Sequence, residues 1–315
     1  MVISANLGFP RIGANRELKK ALESYWKGEL NENALKEVAK ELRKTHWNLQ
    51  HRNGIKHIPS NDFSYYDIVL DTIALVGAVP ERYNFKGDKV DLTTYFAMAR
   101  GVQNKHEHKH GETCNHSADA SAMEMTKWFD TNYHYIVPEF HTGQKFSLAS
   151  DKIFEEFKEA KLQGVHTRPV LLGPISFLLL GKMKDGSNSQ ISLLAELLPV
   201  YERILKQLAT LGADWVQIDE PCLVLDLDDA TRAAYKTTYQ KLVDIAPELH
   251  IMLTTYFGDL RENLETAVSL PVAGLHIDLV RAPEQLDAVL AKFPAKKALS
   301  VGVVNGRNIW RTDLD

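Results

Sequence analysis

A chain of 315 residues, 44% hydrophobic and 25% charged, has the make-up of an ordinary globular protein and can bury a large core without disulfides or a structural metal. Its net charge of -4 gives no support for nucleic acid as a partner. Cys114 and Cys222 cannot build a disulfide framework, no secretory leader opens the chain, and no apolar run approaches the roughly 18 residues of a membrane span, so a cytoplasmic protein is expected.

The first predicted strand is ISANLGF (3–9), followed by Pro10 and Gly13 and then a helix over 16–28, for which Asn15 is the expected cap. A helix over 32–53 leads to a weak second strand, KHIPSND (56–62). A polar insertion near 102–118 holds His106, His108, His110, Cys114 and His116; these residues could gather zinc, but they lack an apolar shell and paired spacing. A helix over 118–131 and the strand HYIVPEF (134–140) come next.

From residue 150 the alternation is regular. Ser150 is placed to cap a helix through Gln163, with Ile153, Phe154, Phe157 and Ala160 on one face and Gly164 as its stop. The strands RPVLLGP (168–174), WVQIDEP (215–221), IMLTTYF (251–257), GLHIDLV (274–280) and ALSVGVV (298–304) follow. Between them lie a helix carrying Leu194, Leu197, Leu198, Tyr201, Leu205 and Leu208, with a kink expected at Pro199, then a helix over 261–269 and one opened by Pro283.

Eight strands with helical crossovers predict an α/β fold of the (β/α)8 TIM-barrel type, in one domain over 1–315. An open doubly wound sheet would show GxGxxG after its first strand, and LGFPRIG does not match it. Only NGRNIWRTDLD follows the eighth strand, too little for a covering helix, so a barrel truncated near its last helix is expected.

In such a barrel chemistry gathers at the C-terminal ends of the strands, here Arg11, Asp62, Glu139, Asp219, Glu220, Thr255, Asp278 and Asn305. Asp219 and Glu220 could divide acid and base roles, although adjacent strand residues point to opposite faces and an alternative is a pair of structural carboxylates. The helix start at 15–20 gathers Arg16, Lys19 and Lys20 where the backbone already carries partial positive charge, which suits either an anionic ligand or a solvated amphipathic helix. EMTKWFDTNYHYIVPEF (124–140) sets Lys127 and Trp128 beside further aromatics, which could hold a flat polar ring or serve as core.

Six stretches taken together, LGFPRIGANRELKKALESYW, IPSNDFSYYD, EMTKWFDTNYHYIVPEF, HTRPVLLGPISFLLLGK, VQIDEPCLVLDL and SVGVVNGRNIW, resemble the N-terminal half of cobalamin-independent methionine synthases, especially the fungal members. The resemblance implies a two-barrel methyltransferase that moves a methyl group from 5-methyltetrahydropteroyltri-L-glutamate to L-homocysteine without cobalamin. It implies that zinc and the homocysteine site belong to a C-terminal barrel absent from this chain, and that the N-terminal barrel helps hold the folate's polyglutamate tail. By resemblance Arg16, Glu17, Leu18, Lys19, Lys127 and Asn132 are folate contacts, with no catalytic residue and no metal ligand in this chain. The fragment is then expected to be inactive alone; the alternatives are a self-contained barrel enzyme using Asp219 and Glu220, or a non-catalytic scaffold.

Overall fold

The computed structural model describes residues 2–102, 119–187 and 189–313. The predicted polar insertion lies outside the described residues except Val102, which forms an antiparallel bridge with Ala120.

Helices α1 (Glu17–Trp26) and α2 (Glu32–Arg52) bury Leu18, Ala21 and Leu22 with Leu35, Ala39 and Leu42, apolar positions recurring at helical spacing. Asn31 caps α2 by accepting from the Ala34 N–H. Strand β1 (Ile58–Ser60) then leads to α3 (Ile68–Leu75) and α4 (Leu92–Arg100), whose first turns are capped by Asp67 and Asp91. Three short strands follow, β2 (Met125–Lys127), β3 (His134–Ile136) and β4 (Glu139–Phe140).

The second half forms the five strands expected, with elements at 174–183 and a helix at 229–245 among them that the sequence pattern did not signal. Its elements are α5 (Lys152–Leu162), β5 (Thr167–Leu172), α6 (Pro174–Leu179), β6 (Lys182–Met183), α7 (Leu194–Thr210), β7 (Trp215–Asp219), α8 (Asp229–Ile245), β8 (His250–Thr254), α9 (Leu264–Ser269), β9 (Gly274–Asp278), α10 (Gln285–Lys292) and β10 (Ala298–Gly302).

Six strands form one parallel sheet in the order β1-β5-β7-β8-β9-β10. Val216, Ile218, Ile251, Leu253, Leu275 and Ile277 are buried beneath the helices, while Arg168, Gln217, Asp219, Thr254 and His276 alternate with them onto the other face. The sheet is curled. Residues 3–9 run beyond β1, joined to it by a single parallel bridge between Ala5 and His57. In a flat sheet they would lie about 14 Å from β7, three strand spacings away. Instead Gln217 Nε2 donates to the Leu7 carbonyl at 3.2 Å, and Arg168 Nη2 to the Asn6 carbonyl at 3.1 Å. The architecture is therefore a curled α/β wall of TIM-barrel type, with a polar concave side.

Several expectations need correction. Residues 3–9 make a bridge rather than a full strand. The third predicted strand, 134–140, does not enter the main sheet, and β1 pairs directly with β5. It splits at Pro138, which has no N–H to carry a ladder onward: β3 pairs antiparallel with β2, and β4 pairs parallel with β6. The predicted helix over 118–131 is replaced, over its described residues, by extended chain, β2 and the turn that follows it. There the Trp128 ring meets Tyr135 edge-on at 5.4 Å, an aromatic contact across the hairpin that a helix would forfeit. Helix α5 begins at Lys152, with Ser150 Oγ accepting the Lys152 N–H at 3.3 Å, and α7 continues through Pro199 as one helix.

Candidate anion-binding rim

The loop before α1 is built around Gly13. Its φ of 85° lies in the left-handed region, and a Cβ there would come within 2.1 Å of Glu17 Oε2, so only glycine lets the carboxylate fold back over the loop. Glu17 Oε2 accepts the Asn15 N–H at 3.0 Å and Oε1 accepts the Asn15 amide at 3.1 Å. Hydrogen bonds from its own N–H and that of Asn15 hold the Glu17 carboxyl below its usual pKa. The expected cap is thus reversed. Asn15 donates to Glu17 instead of accepting from the helix, the helix begins at Glu17 rather than Arg16, and Arg16 occupies the cap position with φ 61°. The helix start is partly answered from within.

The remaining residues expected from 16–19 differ in what they offer. Arg16 is exposed. Leu18 is fully buried and its N–H is taken by the Ile12 carbonyl at 3.1 Å, so it anchors the turn. Lys19 is exposed and lies 3.8 Å from Glu23, a pairing that solvent makes weak. Lys20 is exposed beside them.

Arg11 is spent on structure. Its guanidinium donates to the carbonyls of Ser64 (3.1 Å), Tyr65 (3.4 Å) and Tyr66 (2.5 Å) and to the Tyr133 hydroxyl (3.3 Å), which in turn donates to the Tyr66 carbonyl at 3.0 Å. This knot draws together the α1 loop, the turn at 64–66 and the β2–β3 hairpin. Lys127 ends β2, Asn132 lies in the hairpin's turn, and both are exposed. The two groups of predicted contacts therefore stand on neighbouring elements of one rim. Arg11 and Tyr133, rather than any bond between the predicted contacts themselves, link the two groups.

The other rim acids hold loops in place. Asp62 Oδ2 accepts the Phe9 N–H at 2.7 Å, and burial pushes its pKa up to about 6. Asp67 caps α3 and also accepts the Ile136 N–H at 3.2 Å; burial raises it to about 7. Glu139 grips Arg82 through two contacts of 2.6 and 2.9 Å. The Thr255 hydroxyl donates to the His276 carbonyl at 2.8 Å, and Asn305 Oδ1 accepts the Arg307 N–H at 3.0 Å.

Asp219 and Glu220 are adjacent in sequence and apart in space. Asp219 faces the concave side, where its oxygens accept from Gln217 Nε2 (2.7 Å) and the Tyr256 hydroxyl (3.2 Å), and burial raises its pKa to about 7. Gln217 Oε1 in turn accepts from Arg168 at 2.7 Å. Glu220 faces the helices, accepting from the Ile175 and Ser176 N–H groups and the Tyr235 and Tyr239 hydroxyls. The acid–base pair is not assembled. Cys222 is buried, and its thiol is pushed up to about 12 by desolvation. Among the described residues no three His, Cys, Asp or Glu side chains converge as a metal site.

The fold and rim define a barrel-type α/β protein with a surface cluster of cations at the mouth. A family model described as cobalamin-independent synthase, N-terminal domain, matches residues 3–315, and the chain belongs to that family. The 5-methyltetrahydropteroyltriglutamate–homocysteine methyltransferase of Nitrobacter winogradskyi is 58% identical over 98% of this chain and 41% of its own length. The same-named protein of Caulobacter vibrioides is 56% identical over 99% and 41%. The chain thus spans about two fifths of the length of these curated relatives. A solved structure from Listeria monocytogenes, described as a putative vitamin-B12-independent methionine synthase, superposes with a TM-score of 0.62 at 13% identity, covering 99% of this chain and 84% of that one. That likeness shows the shared fold.

Proposed function

We propose that this chain is the single N-terminal barrel domain, 1–315, of a cytoplasmic two-barrel enzyme that transfers a methyl group from 5-methyltetrahydropteroyltri-L-glutamate to L-homocysteine. Its part is to hold the folate's polyglutamate tail. Arg16, Lys19 and Lys127 supply positive charge, Asn132 an amide, and Glu17 and Leu18 fix the main chain that presents them. The observation that carries this reading is the α1 start. Its cations stay open to solvent after the internal carboxylate has found its partners. No helix among the described residues is long and apolar enough to cross a membrane.

The zinc implied by resemblance does not fit the described residues, which offer no converging ligand set and only a buried, protonated thiol at Cys222. We place the metal and the homocysteine site in the other barrel, and this chain alone should turn over nothing. The self-contained enzyme is disfavoured because Asp219 and Glu220 face opposite sides of the sheet.

Titration calorimetry of this chain with mono- and triglutamyl methyltetrahydrofolate tests the proposal. The triglutamate should bind more tightly, and added salt should erode the difference. Equal affinities would leave only a scaffold role, and homocysteine methylation by this chain alone would overturn the placement of the chemistry.

A further inference from the structure

Resting on the tail-binding reading, we propose that Arg281 is a positioning residue for the rim, holding the β2–β3 hairpin and through it Lys127 and Asn132 across the mouth of the barrel. The hairpin is slight. Only Met125–Ile136, Thr126–Tyr135 and Lys127–His134 pair, and a two-stranded ribbon of that size does not hold its shape unaided. Its turn contains Phe129 with φ 50°, a left-handed backbone that an aromatic residue adopts only when its surroundings impose it.

Tethers on two sides impose it. On the α1 side, the Tyr133 hydroxyl is locked between Arg11 and the Tyr66 carbonyl. On the far side, Asp130 forms an ion pair with Arg281, and the Phe129 ring packs on Phe257 with centroids 5.4 Å apart. The receiving surface is organised by one carboxylate at the end of β9. Asp278 Oδ2 accepts the Phe257 N–H at 2.9 Å, while Oδ1 accepts those of Val280 and Arg281 at 2.9 and 3.0 Å. The Arg281 guanidinium also lies 5.5 Å from the centre of the Phe257 ring. Phe257 is itself left-handed, with φ 75°. Both far-side contacts and the Tyr133 lock fall within residues 129–133, between Lys127 and the start of β3, so they set where Lys127 and Asn132 point.

The test compares triglutamyl with monoglutamyl affinity and follows amide exchange over residues 125–136. Arg281→Gln should lower the triglutamate preference about two- to fivefold, the range of one ion pair at the surface, and speed exchange in the hairpin. Asp130→Asn, which cuts the tether from its exposed end, should do the same, and Arg281→Lys should retain most of the preference. A normal preference in the unchanged chain that Arg281→Gln leaves intact would overturn this inference alone. So would a lost preference with hairpin exchange unaltered. If the unchanged chain shows no triglutamate preference, the tail-binding reading falls first and this role with it.

Discussion

Two helix starts in this protein are each answered by a glutamate, and they differ in everything that follows. At α6 the carboxylate comes from the end of another strand: Glu220 accepts the Ile175 and Ser176 N–H groups at 3.3 and 2.8 Å, and two tyrosine hydroxyls fill its remaining capacity. It is fully buried, and burial raises its pKa. At α1 the carboxylate belongs to the helix itself, sits near the surface and has its pKa lowered by backbone N–H groups. The first arrangement is complete and shut to any ligand. The second leaves Arg16, Lys19 and Lys20 around it facing water. A charged residue is free to meet a ligand only when its neighbours have not already used it, and the rim acids, engaged with N–H groups or with side chains such as Arg82, Gln217 and Tyr256, illustrate the opposite case.

The comparison breaks first at Glu220. Glu220→Ala leaves two buried hydroxyls and two N–H groups without their acceptor and should cost about 3–5 kcal/mol, read from the denaturant midpoint at constant slope. The corresponding loss at α1 should be far smaller. Beside Glu220, Asp219 gives a pH signature. Its pKa is about 7 when folded against 3.8 for the ordinary group, so the unfolded chain gives up this proton first as pH rises. Its stabilising contribution is therefore whole below about pH 4 and is lost as pH climbs through 7, by at most about 4 kcal/mol. Asp219→Asn should flatten that part of the stability curve between about pH 4 and 7. If the wild-type and variant slopes coincide there, the carboxylate is not held protonated by burial.

A smaller effect is expected at the α1 loop. Gly13→Ala must adopt φ 85° and find room for a methyl group 2.1 Å from Glu17 Oε2, which should cost about 1–3 kcal/mol. It should also release the carboxylate from Asn15, restoring a more ordinary Glu17 pKa in a carboxyl-carbon NMR titration. An unshifted Glu17 titration in a folded Gly13→Ala variant would separate the loop from the charge.

These residues also show which features are written locally in the sequence and which arise only when distant segments meet. The second-half strands are legible because each apolar run is bounded by Gly or Pro and separated by helical periodicity, a local signal. The opposite facing of Asp219 and Glu220 follows from strand geometry alone. The segment 118–131 has the local pattern of a helix, yet its described part joins the hairpin at 125–136, because the hairpin depends on partners distant in sequence: Tyr133 on Arg11 and Asp130 on Arg281, with Trp128 on Tyr135 across the turn. The same holds for the Asn15 cap, reversed by a carboxylate that Gly13 admits. The tethering roles of Arg281, Phe257 and Tyr133 carry no local signal, since what they do is defined by contacts more than a hundred residues away along the chain in each case.

The smallest effect on stability should fall at Lys19, and there the contrast is sharpest. Lys19 stands about half exposed with Glu23 as a 3.8 Å partner, so Lys19→Ala should change the unfolding free energy by less than about 1 kcal/mol. On the tail-binding proposal its effect on triglutamate binding should still be measurable, because each cation removed would weaken the attraction for a tail of several carboxylates. A roughly two- to fivefold fall in triglutamyl affinity, with monoglutamyl affinity unchanged, is expected at low salt and should shrink as ionic strength rises. Equal losses for both folates would instead place Lys19 near the pterin or its first glutamate. A large loss of stability would show that its pairing with Glu23 belongs to the fold, as the buried bonds of Glu220 do.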